Sequence, residues 1–474
     1  MMLDNILKNN QKTFRKLTHF WPTLTNPKNY VIPETIEEFK QLGGIFAPKI
    51  KINSRDYYFN EKTKAVLDDF VNTIGKIREI EDTISYRTAY KTTIDFIESA
   101  IYDQLKHSNK LNSEKDIKKI LQTIIHHRQT RYQFFRIVEG IELKELDSVA
   151  FGDVKLFVFS ENHMNEINKY RKSNNLNGFY DRSIEPFIKK HFVNKTCIST
   201  IANGDEIKAE EIGKKKINQV INLLRFIICI FAYERIYENR VKVNLLAESY
   251  NISENTLSIN VDKKIISLHY GSSRKPVQKL PLDPQMINEL KECCFFDDWI
   301  HIFSKPDKTE LEKAILTAIY WIGEAQNDYI FESAYIKFWT ALETLFSIPD
   351  TDNMKSIKCP RCKTPIETIT DKKGITKALS KGVAILLAFG GYRLIEINDV
   401  KKILKAVEKL YDKRSDVIHR GIYGDMKPSE LAEICKYAVW CVLTCLGLRT
   451  QGYGTLKQIK DETNRLYNLS AKIE

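Results

Sequence analysis

Val400-Lys401-Lys402-Ile403-Leu404-Lys405-Ala406-Val407-Glu408-Lys409-Leu410-Tyr411-Asp412 is the stretch from which the fold of the C-terminal third is most directly read. Ile403, Leu404, Val407, Leu410 and Tyr411 recur at three- and four-residue spacing, so on a helix they line one side while the lysines turn to the other. The spacing predicts a helix over 397–412. Working outward, the same period predicts helices at 285–301, 308–326, 330–347, 375–389 and 428–447, with one polar interruption. Successive amphipathic helices bury their apolar sides against one another, so residues 285–450 are expected to form an all-helical bundle, followed by a tail at 451–474. Lys275-Pro276, Pro281 and Pro284 break the chain just ahead of the bundle and set the expected domain boundary at 284/285.

Upstream the pattern is mixed. Pro22, Pro27, Pro33, Gly43, Gly44 and Pro48 predict short strands and loops over residues 1–60. From 63 to 140 the period turns helical, with Tyr90, Ile94, Ile97, Ile101 and Leu105 in one segment and Ile117, Ile120, Leu121, Ile124 and Ile125 in another. Val149 to Phe159, rich in β-branched and aromatic residues around Gly152-Asp153, predicts a strand or hairpin. A long helix over 210–237 follows the Asn203-Gly204-Asp205 turn, and a second β region is expected at 241–280. The whole is an α-rich α+β chain, with a mixed region at 1–284, a candidate sensor or RNA-binding part, ahead of the helical bundle.

Over 474 residues, 43% apolar and 28% charged composition excludes wholesale disorder. The net charge of +12 favours a polyanionic partner, and nucleic acid comes before membrane because no basic cluster adjoins a long apolar span. The N-terminus lacks the basic start and apolar core of a secretory signal, so a cytoplasmic location is expected. Val220–Tyr233 and Tyr437–Leu448 are shorter than the roughly 20 residues of a membrane helix, and Arg225 interrupts the first. Cys229, Cys441 and Cys445 sit in apolar settings that suit reduced core thiols.

The chain contains no G-x-x-x-x-G-K-[ST], no G-x-G-x-x-G, no H-E-x-x-H and no G-x-S-x-G, which demotes nucleotide hydrolysis, dinucleotide binding, zinc proteolysis and serine hydrolysis. The constellation that remains is Arg414-Ser415-Asp416-Val417-Ile418-His419, an Arg-x4-His spacing. Asp412 to Arg420 is expected to interrupt the helical stripe at a junction between two bundle helices and to place Arg414 and His419 on one exposed face.

Three segments together resemble a known family. They are Ala318-Ile319-Tyr320-Trp321-Ile322-Gly323, Phe338-Trp339-Thr340-Ala341-Leu342-Glu343-Thr344-Leu345-Phe346, and Leu410-Tyr411-Asp412-Lys413-Arg414-Ser415-Asp416-Val417-Ile418-His419-Arg420-Gly421. In this order, over about 285–450, they resemble the ApeA-like branch of the HEPN superfamily. The resemblance implies a metal-independent ribonuclease that needs no cofactor for catalysis. It also implies a homodimer in which two Arg-x4–6-His motifs build one composite site. Such proteins act in abortive-infection defence against phage or in toxin-like growth arrest, so a phage-derived trigger or an antitoxin is a further expected partner.

The residue types fit that chemistry. Cleavage of RNA by its own 2′-hydroxyl needs a proton acceptor and a proton donor near neutrality, the work for which histidine is suited, and His419 is the candidate. A guanidinium gives fixed hydrogen bonds to phosphate oxygens without losing its charge, which assigns Arg414 to the transition state. Glu343 is implied to orient one of the two, and Lys405, Lys409, Lys413 and Arg420, with Lys401 and Lys402, to contact the RNA backbone. The plainer alternatives stand beside these: Arg414 paired with Asp412, Asp416 or Glu343, His419 capping a helix, and the lysines as a solvated face. The chain is then a non-catalytic HEPN scaffold that binds nucleic acid or a protein partner.

Cys359-Pro360-Arg361-Cys362 has the spacing of half a zinc site. A structural zinc completed by Cys293, Cys294 or His301, or by a second copy, stands beside free thiols in a loop. A redox pair needs a helix starting at the first cysteine, against which Thr364 and Pro365 argue.

Overall fold

The computed structural model describes residues 2–35, 37–38, 49–52, 55–107, 112–128, 130–173, 181–232, 243–245, 256–260, 265–269, 279–328, 330–346, 354–358, 365–369, 372–390, 399–420 and 426–473. The fold is α-rich α+β. Two compact units are present, and they are not divided at residue 284: one comprises 1–134, 201–215 and 258–267, the other 135–200, 216–257 and 268–474.

In the first unit, α1 (Met2–Asn9), α2 (Gln11–Leu24), α3 (Glu61–Gly75), α4 (Arg78–Glu81), α5 (Tyr86–His107) and α6 (Ser113–Arg128) enclose one apolar core. A three-stranded antiparallel sheet of β1 (Tyr30–Val31), β3 (Arg55–Phe59) and β2 (Lys49–Ile52) accompanies them. The expectation of strands and loops over 1–60 is corrected by α1 and α2. Pro22 lies in the last turn of α2, where its missing N–H forfeits a single hydrogen bond, and the buried stripe of Leu17, Trp21 and Leu24 carries the helix through it. The helical reading to residue 140 is also corrected. Arg131–Glu139 is strand β4, whose Tyr132, Phe134, Phe135, Ile137 and Val138 suit a pleated, buried surface.

In the second unit, β6 (Ser148–Phe151) and β7 (Val154–Phe159) form the expected hairpin, with Gly152 at φ +65° in a turn that disfavours a side chain. β8 (Lys195–Asn203) pairs antiparallel with β7. β5 (Ile141–Leu143) runs parallel to β12 (Leu280–Leu282), and β9 (Asn244–Leu245) pairs antiparallel with β4. β10 (Thr256–Asn260) and β11 (Ile265–His269), most of whose residues belong to the first unit, fall within the β region expected at 241–280. Helices α7 (Glu161–Ser173) and α8 (Asp181–His191) precede β8, and α9 (Glu206–Ala232) is the long helix expected there. Arg225, within its apolar run, is buried and donates to the Val243 carbonyl (2.8 Å), Asn222 Oδ1 (2.9 Å) and Glu324 Oε1 (3.2 Å).

The C-terminal helices are α10 (Pro284–Cys294), α11 (Phe296–Ser304), α12 (Glu310–Asn327), α13 (Phe331–Phe346), α14 (Lys372–Phe389), α15 (Val400–Arg420), α16 (Pro428–Thr450) and α17 (Leu456–Ile473). The single helix expected over 285–301 is two, because Phe295 turns left-handed at φ +57°. Gly447 lies against its ring: a Cβ there would come within 3.2 Å of Phe295 Cζ. The tail expected at 451–474 is α17, whose Leu466 and Tyr467 pack on Ala384, Ile385, Ala388 and Val400. Between α13 and α14 stands an antiparallel hairpin of β13 (Met354–Lys358) and β14 (Pro365–Ile369).

α12 packs on α13, α14 on α15, and α16 against α12, α13 and α14. At 23 residues α16 is longer than the apolar stretch that announced it, and by length and composition it would cross a membrane. Most of it is buried, with Ile434, Ala438, Val439, Cys441, Val442, Leu443, Cys445 and Leu446 fully enclosed, so its apolar surface serves the bundle core. The cysteine reading holds among the described residues: Cys197, Cys229, Cys294, Cys435, Cys441 and Cys445 are buried free thiols and Cys293 is an exposed one.

α9 and α12 approach closely at Gly323, where a Cβ would lie 2.8 Å from the Cα of Asn222. Gly323→Ala is expected to lower stability by about 2 kcal/mol, because backbone rather than a flexible side chain must yield. A thermal melt within experimental error of wild type would refute that contact.

Candidate active site

The helical stripe of α15 does not stop at Asp412. Val417 continues the buried series of Val407 and Leu410, so the segment expected to be an interruption is the last two turns of one helix. That decides where the two motif residues face. Five residues along a helix amount to about 140° of rotation and about 7.5 Å of rise, so Arg414 and His419 do not share a face. Arg414 falls within the stripe turned to α13, with its side chain 19% exposed. His419 lies on the opposite side with Lys401, Lys405, Lys409, Asp412 and Asp416, exposed, and makes no hydrogen bond among the described residues.

Of the three acidic partners open to Arg414, the structure selects Glu343. Arg414 Nη2 reaches Glu343 Oε1 at 2.9 Å and Oε2 at 3.1 Å. Glu343 faces α15 because Trp339, one turn earlier on α13, is fully buried and sets the orientation of that helix face. The Tyr411 hydroxyl also donates to Glu343 Oε1, at 2.9 Å, and the Tyr411 ring lies under the guanidinium, 5.4 Å from Cζ. Trp339 meets the Tyr411 ring edge-on at 5.1 Å, and Tyr335 donates its hydroxyl to the Leu410 carbonyl at 2.6 Å, fixing α13 to α15. Burial, and then the adjacent Glu343 carboxylate, pushes the Tyr411 phenol up to about 12, which keeps it a neutral donor.

The expected RNA-contacting residues separate. Lys405 and Lys409 are exposed on the His419 face. Lys413 is held by Glu430 Oε2 at 2.5 Å, so its charge is neutralised inside the bundle. Burial alone would raise the Glu430 carboxyl, but the Lys413 hydrogen bond and the Lys427 amide outweigh it and hold it low. The side chain of Arg420 lies outside the described residues. Asp412 and Asp416 stand among the lysines, so this face carries both signs rather than a continuous basic groove.

Cys359 and Cys362 also lie outside the described residues, so the redox, zinc and free-thiol readings of this pair rest on the sequence. Of the residues offered to complete a zinc site, Cys293 and His301 are exposed while Cys294 is buried, and burial raises its thiol to about 11. Among the described residues no group of three or more His, Cys, Asp or Glu is placed to hold a metal.

Sequence reasoning reached Glu343, Arg414 and His419 and missed Tyr411, Trp339 and Glu430. The first two were findable: each stands one helical turn before a polar partner, Tyr411 three residues ahead of Arg414 and Trp339 four ahead of Glu343. Glu430 carries no such signal, because its pairing with Lys413 spans a chain reversal. No family model, no curated protein and no solved structure matches this chain.

Proposed function

We propose that the chain is a metal-independent endoribonuclease of the HEPN type that cuts RNA by attack of the 2′-hydroxyl on the adjacent phosphate. Arg414 stabilises the phosphate oxygens, His419 exchanges the protons and Glu343 orients Arg414. The observation that carries this reading is the Glu343–Arg414 pair on α13 and α15, with His419 exposed on the same helix and without a hydrogen bond among the described residues. A guanidinium engaged by a carboxylate through one nitrogen, within reach of solvent, suits an anion site. The 140° offset on α15 keeps one copy from offering both residues to one phosphate, which favours a homodimer whose site takes Arg414 from one copy and His419 from the other. Abortive-infection defence or growth arrest, set off by a phage-derived trigger or released from an antitoxin, is the setting we propose, in the cytoplasm.

Cleaved RNA is expected to end in a 2′,3′-cyclic phosphate and cleavage to persist in chelator; loss of activity with chelator, restored by added Mg²⁺, refutes the mechanism. Mixing Arg414→Ala with His419→Ala chains provides a second test. Each mixed dimer keeps one intact pair if the two residues act across the interface, so activity should return to a substantial fraction of wild type, and a mixture as inert as its components rules out the cross-copy site.

A second reading has an observation of its own. Arg414 is mostly buried and its pairing is completed within one chain, as expected of a strut in a non-catalytic scaffold that binds nucleic acid or protein. Growth, phage plating and RNA integrity in a bacterial host expressing wild type or His419→Ala separate the two. An effect that vanishes in the folded variant supports the ribonuclease, and the same effect in both supports the scaffold.

A further inference from the structure

Tyr411 is bound into the Arg414 cluster from three sides. Its hydroxyl donates to Glu343 Oε1 at 2.9 Å, its ring carries the Arg414 guanidinium at 5.4 Å, and Trp339, fully buried, meets its ring at 5.1 Å and 86°. Trp339 and Glu343 lie one turn apart on α13, and Tyr411 and Arg414 lie one turn apart on α15, so the two aromatic rings and the two charged groups interlock as a square. The ring cannot swing away without displacing Trp339 from the core.

The consequence falls on the guanidinium. Glu343 holds Arg414 through Nη2 alone, since both carboxylate contacts, at 2.9 and 3.1 Å, end on that nitrogen. Nη1 makes no hydrogen bond among the described residues, and the buried Nε has no partner either. A carboxylate left to itself prefers the two-pronged arrangement with a guanidinium, each oxygen on a different nitrogen. Here the Tyr411 hydroxyl occupies Oε1 and competes with that arrangement.

We infer that Tyr411 is a positioning residue for Arg414: its hydroxyl fixes the Glu343 carboxylate on one terminal nitrogen of the guanidinium and so leaves the other open to a phosphate oxygen. What Tyr411 does for catalysis rests on the ribonuclease reading above; what it does to Arg414 does not. Without the hydroxyl, Glu343 is free to chelate Arg414 through both nitrogens and withdraw the donor that the transition state needs. Ground-state RNA binding depends on many backbone contacts, so the loss falls on kcat rather than KM.

The test uses the full-length chain as wild type, Tyr411→Phe, Glu343→Gln and the double variant, with total bacterial RNA and a 5′-labelled single-stranded RNA as substrates. Each protein is also followed by thermal melting. Tyr411→Phe keeps the ring against Trp339, so it is expected to fold normally while kcat falls about tenfold and KM stays within about twofold. In the Glu343→Gln background the same change should cost little further activity, because the group through which Tyr411 acts has been altered. Wild-type kcat in Tyr411→Phe, or a loss that multiplies in full with that of Glu343→Gln, overturns the inference. If the wild type leaves both RNAs intact, the ribonuclease reading fails by itself and the melts decide about Tyr411. Losses in Tm that are less than additive between Tyr411→Phe and Glu343→Gln support its link to Arg414 through Glu343, and strictly additive losses overturn it.

Discussion

His419→Ala is expected to reduce RNA cleavage by about 10²–10⁴-fold, the range for loss of a general acid or base, while leaving the thermal melt where it was. The activity loss rests on the proposed general acid–base role, and the unchanged melt on one fact: the imidazole is exposed and makes no hydrogen bond among the described residues, so its removal breaks nothing in the fold. Arg414→Ala should behave differently. It removes the partner of Glu343, whose side chain is only 21% exposed, so activity and stability should fall together. The contrast between the two variants is the diagnostic. If His419→Ala cuts RNA at the wild-type rate, the general acid–base assignment is wrong, whatever Arg414→Ala does.

The largest stability effect should come from Glu312→Ala, at the start of α12 and away from the proposed site. Its carboxylate, 2% exposed, receives the Thr309 amide at 2.8 Å as part of a capping box, Lys305 Nζ at 3.0 and 3.2 Å, and Arg449 Nη2 at 3.0 Å. Arg449 also reaches Asp298 at 2.8 Å, so one buried carboxylate joins α11, α12 and α16. Burial alone would raise the Glu312 carboxyl, but the Thr309 amide, Lys305 and Arg449 outweigh it and hold it at about 2, against 4.5 in the unfolded chain. A depressed carboxyl pKa adds stability that is complete above about pH 4.5 and is lost as pH falls towards about 2. The shift corresponds to about 3 kcal/mol. Glu312→Ala should lose about 3–5 kcal/mol at pH 7, since it also leaves Lys305 without its carboxylate and Arg449 with Asp298 alone. Its deficit relative to wild type should narrow in melts taken below pH 4, and a deficit that stays constant from pH 7 to pH 3 would contradict the linkage.

What the sequence made legible was what repeats along one element. The stripe of Ile403, Val407 and Leu410 located α15, and the matching periods located α12, α13, α14 and α16. Elements governed by partners far away in the chain were misjudged. Arg131–Glu139 was read as helix because isoleucine and phenylalanine serve both periods, and Phe295 was read through as helical because its left-handed turn answers to Gly447, 152 residues later. Prolines misled at Pro22, where their penalty falls on one terminal hydrogen bond. In the candidate site, residue types and spacing pointed to Arg414 and His419, but only the continuity of α15 shows that they face apart. Tyr411 was hidden because an aromatic in an apolar stripe is ordinarily core, and its hydroxyl reaches a carboxylate 68 residues earlier.

The thiols enclosed by the helices make the fold its own clock. Cys441 and Cys445 on α16 are fully buried, burial raises both, Cys445 to about 12, and no thiolate is available to an alkylating reagent while the helices are closed. Cys293 is exposed and should react at once, giving an internal reference on the same chain. Labelling of the buried pair then waits on separation of the bundle. At high reagent concentration its rate becomes independent of reagent and equals the rate at which α16 opens, so kinetic stability can be followed one cysteine at a time by mass.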